Sequence, residues 1–123
     1  MIYFLDSCAL IKQYHEEKGA SAINGIFDSS HNDIYTSLLT LSEATSTLNK
    51  LFNRDEIDKR ELDIALSKLF IDFYSGKIDL IDIKIKQILH SQELILDYNL
   101  TSSDAIILSS SFELKPNPFI FVS

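Results

Sequence analysis

The sequence contains a single cysteine, Cys8, in 123 residues, so no disulfide can close within the chain and a reducing cytoplasm is the natural setting. It has no tryptophan, two prolines and three glycines, too little punctuation for linkers, and it shows no low-complexity tract or internal repeat. Cationic residues are also scarce: 11 Lys and Arg stand against 18 Asp and Glu, giving a net charge of −7. That balance argues against a nucleic-acid binder working through a broad basic face. It is no argument against an enzyme whose own acids hold metal ions, because a bound cation reverses the local field. No stretch approaches the roughly 20 apolar residues of a membrane helix. The apolar start Ile2-Tyr3-Phe4-Leu5 lacks a preceding basic segment and is cut short by Asp6, which excludes a signal peptide.

What remains is an ordinary globular composition, 46% hydrophobic and 24% charged, in a chain long enough for one core and one domain, residues 1–123. Ile2–Leu5 reads as a buried strand, and a helix is expected from Ser7 to about Glu17. Helical periodicity also marks Ala20–Ser30, about Leu39–Asn53, a long amphipathic helix carrying Leu62, Ala65, Leu69 and Phe73 that stops near Gly76, about Ile85–Asp97, and Ser103–Leu114. Asp33–Ser37, Lys77–Ile83 and Phe119–Val122 read as further strands, the last one buried, and Arg54–Lys59 as a charged turn. Strands separated by helices predict parallel βαβ units covered on both faces.

Three acids stand at strand-to-helix or helix-start positions: Asp6, Glu43 and Asp104. Each has a structural explanation. Asp6 suits an N-cap, and Thr40-Leu41-Ser42-Glu43 and Thr101-Ser102-Ser103-Asp104 both have capping-box spacing. Their places in an alternating fold favour a second reading, since open α/β sheets bind ligands outside the carboxyl ends of their strands. Carboxylates gathered there repel one another, and a hard divalent cation removes the conflict. His15, His31 and His90 are scattered and form no competing ligand pattern. Cys8 has no neighbouring histidine and is expected to be a small buried side chain.

The ordered motifs resemble a known family. Phe4-Leu5-Asp6-Ser7-Cys8-Ala9-Leu10 is similar to the opening of PIN-domain ribonucleases, Thr36 to Ala44 to their second motif with its Glu, and Tyr98-Asn99-Leu100-Thr101-Ser102-Ser103-Asp104-Ala105-Ile106-Ile107-Leu108 to their third. The resemblance implies a three-layer α/β/α fold on a central parallel sheet. It also implies a hydrolase, a metal-dependent endoribonuclease of the VapC-like toxin–antitoxin kind. Carried onto this chain, Asp6, Glu43 and Asp104 are the catalytic, metal-holding residues for Mg²⁺ or Mn²⁺, and Ser7 is a hydroxyl that orients a carboxylate or water. RNA as substrate, an antitoxin protein and a homodimer are the implied partners, with no membrane. The departure lies at the end. The family pattern continues past Phe-Val-Ser to a fourth acid, whereas this chain stops at Phe121-Val122-Ser123, giving a C-terminally shortened domain. The alternative reading is a catalytically weak or inactive PIN-fold interaction module.

Overall fold

A computed structural model describes all residues 1–123. The chain runs β1 (Ile2–Leu5), α1 (Ser7–Ile11), α2 (Ala20–Asp28), β2 (Asp33–Ser37), α3 (Leu38–Asn53), α4 (Lys59–Tyr74), β3 (Ile78–Ile81), α5 (Ile85–Tyr98), α6 (Ser102–Ser111), a short 3-10 turn (Phe112–Leu114) and β4 (Ile120–Val122). The strands form one parallel sheet in the order β3-β2-β1-β4.

Alternation along the strands builds the layers, because successive side chains leave a strand on opposite faces. Tyr3 and Leu5 of β1, Ile34 of β2 and Ile78 of β3 point to one face. There they meet Leu10, Ile23, Phe27, Leu48, Leu62 and Leu69 from the first four helices. Ile2 and Phe4, with Tyr35 and Ile81, point to the other face and pack on Ile107 and Leu114 from α6 and the turn after it. The sheet is therefore covered on both sides, the α/β/α arrangement the motifs implied. Two-sided cover explains why β1 is apolar throughout.

Two local expectations are corrected. The first helix ends at Ile11 and not near Glu17. Beyond Ile11 the chain tightens into turns in which Lys12, Gln13 and Tyr14 donate to the carbonyls of Ala9, Leu10 and Ile11. Tyr14 is drawn across the molecule, where its hydroxyl donates to Asp72 Oδ2 at 2.6 Å and its ring meets Phe27 edge-on. The final strand is not buried: β4 pairs only with β1, and Ile120 and Phe121 face outward although Phe121 stacks on Phe4. An edge strand has one neighbour, so half of its surface stays open. The charged turn lies where expected and ends as Asp58 caps α4 in a reciprocal capping box with Glu61, the helix beginning at Lys59. The second motif's helix begins at Leu38, beside its expected start, and this bears on the site.

Candidate active site

β2 and β3 lie on one side of β1, and β4 lies on the other. The carboxyl end of β1 therefore sits where successive connections leave in opposite directions, the crevice position of open parallel sheets. Asp6 is the residue after β1. Its backbone N–H donates to the Val122 carbonyl at 3.0 Å, extending the ladder with β4 by one bond. Its side chain caps α1, Oδ1 accepting from the Ala9 N–H at 2.9 Å, and Oδ2 accepts from the Ser123 hydroxyl at 2.5 Å. The N-cap reading of Asp6 is correct, and it fixes the carboxylate at the mouth of the crevice. Ser7 follows as the first residue of α1, half-buried.

Asp104 lies in the first turn of α6, which is capped by Thr101; the Thr101 hydroxyl oxygen accepts from the Asp104 N–H at 3.3 Å. This leaves the Asp104 carboxylate exposed at the helix start. Asp6 and Asp104 line one cavity of about 240 Å³, together with Cys8 and Ser123 and an apolar wall that includes Leu100 and Phe121. Residues nearly a hundred positions apart thus share a single pocket.

Glu43 is placed differently from the expectation. The cap of α3 is Ser37, whose Oγ accepts from the Leu39 N–H at 3.3 Å, so the helix is already in its second turn at Glu43. The Thr40–Glu43 capping box does not form. Glu43 Oε1 is instead buried with no hydrogen-bond partner, as is the Thr40 hydroxyl. Glu43 is not in the wall of the 240 Å³ cavity, and no three Asp, Glu, His or Cys side chains stand close enough together to share one ion. What gathers is the Asp6–Asp104 pair, with Glu43 set back from it.

The charge of all three acids is nevertheless felt at one atom. The Cys8 thiol is pushed above its ordinary range, first by partial burial and then by the negative fields of Asp6, Asp104 and Glu43, against an opposing pull from Lys12. The expectation of a buried Cys8 is wrong. Ala9, Leu10 and Ile11 take the core side of the short helix, and Cys8 is left exposed at the pocket. Sequence reasoning also missed Ser123 as a partner of Asp6. The available signal was parallel pairing of the first and last strands, which sets their ends side by side.

The donors suit a hard cation. They are carboxylates without a thiolate or imidazole among them, and Glu43 Oε1 has unused lone pairs in a buried position. Mg²⁺ keeps much of its water and is commonly held by one or two carboxylates plus substrate phosphate. The Asp6–Asp104 pair meets that requirement.

Comparison with solved structures finds the same fold elsewhere. The sarcin–ricin loop cleaving toxin VapC20 of Mycobacterium tuberculosis aligns with TM-score 0.69 at 14% identity, covering 92% of this chain and 82% of the toxin. VapBC2 of Rickettsia felis, solved bound to a promoter DNA fragment, aligns at 0.64 and 20% identity over 99% and 98% of the two chains. A toxin–antitoxin complex from Klebsiella pneumoniae aligns at 0.55 and 24% over 95% and 82%. No curated protein sequence matches the chain. The sequence profile of the PIN domain matches residues 3–115, a span that takes in most of β1, all six helices and all three acids. With the parallel sheet, the crevice at β1 and that profile in agreement, this chain belongs to the PIN-domain family.

Proposed function

We infer that the chain is a divalent-metal-dependent endoribonuclease and the toxin half of a toxin–antitoxin pair. The observation that carries this reading is the shared pocket of Asp6 and Asp104 at the carboxyl edge of the sheet, with Glu43 close enough for its charge to reach the same thiol. Asp6 and Asp104 would hold Mg²⁺ or Mn²⁺, with Glu43 adding negative charge from its set-back place on α3. When bound, the ion supplies an activated water and neutralises charge on the scissile phosphate. The protein's own part is positional. Two donated hydrogen bonds fix the Asp6 carboxylate, the first turn of α6 presents Asp104, and the Leu100–Phe121 wall limits water on one side. Ser7, next to Asp6, orients a carboxylate or water at the pocket's rim. RNA is the substrate, reached through the cation because the chain itself is acidic.

The solved VapBC2 assembly and the Klebsiella pneumoniae complex support an antitoxin protein as partner. Ile85, Leu89 and Leu96 stand exposed on α5, which supports a homodimer.

Calorimetric titration with Mn²⁺ tests the enzyme reading. Wild type should give a saturable heat and Asp104→Asn should not, while EDTA abolishes cleavage of an RNA substrate and Mn²⁺ restores it. Absence of metal-dependent heat in both proteins would overturn the reading in favour of a PIN-fold interaction module.

A further inference from the structure

Three side-chain oxygens in this protein are buried without a hydrogen-bond partner, and two of them, Thr40 Oγ1 and Glu43 Oε1, lie one turn apart on α3. The third, Gln13 Oε1, lies in the turns after α1 and has no such neighbour. Buried hydroxyls and carboxylates are normally paired, and each unpaired one needs a physical reason. Thr40 is completely inaccessible, as are Ser37 at the start of α3 and Ser110 of α6. The Ser110 hydroxyl reaches Ser37 Oγ at a long 3.4 Å while donating to the Ile106 carbonyl at 2.8 Å. Ser37, Thr40 and Glu43 recur every three residues, so they form one row along α3, and Ser110 joins its inner end from α6. A polar row sealed from solvent at its inner end and finishing at an acid is an unusual thing to bury.

Thr40 brings a donor that nothing accepts, and Glu43 brings an acceptor that nothing donates to. One ordered water between them resolves both, and a polar site with several oxygens is where buried waters are held. We propose that Thr40 is a positioning residue for Glu43: its hydroxyl, through one buried water, holds Oε1 inward so that the other carboxylate oxygen turns toward the acidic pocket. The proposal rests on the acidic-site reading for its functional consequence, but the Thr40–Glu43 link exists with or without a metal. It also explains why Glu43 stands in the second turn of α3 and not at its start, where it would be taken by backbone N–H groups as a cap.

Thr40→Val keeps the shape and removes the hydroxyl, Thr40→Ser keeps the hydroxyl, and Thr40→Ala serves if valine crowds the row. In the metal-free protein, the ¹³C signal of the Glu43 side-chain carboxyl, assigned through Glu43→Gln, should move in Thr40→Val and stay in place in Thr40→Ser. Mn²⁺ affinity by calorimetry should fall by about tenfold in Thr40→Val, the usual scale for losing a residue that orients a ligand, and be restored in Thr40→Ser. A wild-type carboxyl signal in both Thr40→Val and Thr40→Ala overturns the proposal. If wild type binds no Mn²⁺, the nuclease reading fails alone, and the carboxyl signal still decides whether Thr40 holds Glu43.

Discussion

The Asp6 carboxylate caps α1, and the chemical role proposed for it separates from that structural one by substitution. Asp6→Ala removes the cap of α1 and should cost about 1 kcal/mol in urea denaturation. Asp6→Asn keeps an acceptor for the Ala9 N–H, so it should retain most of that stability while losing Mn²⁺ binding and RNA cleavage. A variant that lost both equally would show that the capping role is the only one. Cys8 reports on the same pocket. Its thiol ionises at higher pH in the folded chain than in the unfolded one, so the folded state favours the neutral form. The stability this provides is complete below the ordinary thiol pKa and is lost as pH rises through the raised value. The thiolate is the reactive species, so iodoacetamide should label Cys8 more slowly at pH 8.5 than it labels a free thiol. Asp104→Asn should speed the reaction, because it removes one of the fields that oppose ionisation.

At the scale of elements, most of the helix and strand pattern was legible because burial leaves its period in the sequence. Leu62, Ala65 and Leu69 mark the inward stripe of α4, and all three are buried. Where the pattern failed at the end of the first helix, the deciding contact is distant in sequence. α1 stops early while Tyr14 reaches Asp72, fifty-eight positions away. The join between α5 and the end of α6 is another such contact: Glu113 accepts from Lys86 at 2.8 Å, from Gln87, and more loosely from Lys84 at 3.6 Å. These donors, Lys86 foremost, hold its carboxyl below the usual range. A depressed carboxyl stabilises the fold above its unfolded pKa, and that contribution fades as pH falls through the lower folded value. Glu113→Gln should therefore lower the melting temperature at pH 7 and leave it nearly unchanged at pH 3, as read by circular dichroism.

For the molecule as a whole, the open question is what covers its remaining apolar surface. Ile85, Leu89 and Leu96 of α5 are 80%, 65% and 83% exposed, and no helix of the chain is long and apolar enough to cross a membrane. If the protein is a homodimer through this face, light scattering should give twice the chain mass. Leu89→Glu should then halve it with little change in the melting of the monomer fold, since the side chain is 65% exposed within the chain. Added salt should favour the dimer, because each copy carries a charge of −7 and the repulsion is screened.

The sequence by itself determined the class of fold and singled out three acids as candidates, because alternation, helical period and the ordered motifs are local properties that survive without coordinates. Only the tertiary structure decided the company those acids keep. Parallel pairing of β1 with β4 brought Ser123 to Asp6 and opened a pocket shared with Asp104. The start of α3 at Ser37 set Glu43 back from that pocket with a buried, unpartnered oxygen. Those placements come from strand order and from a capping side chain at a helix end, and neither leaves a periodic trace along the chain.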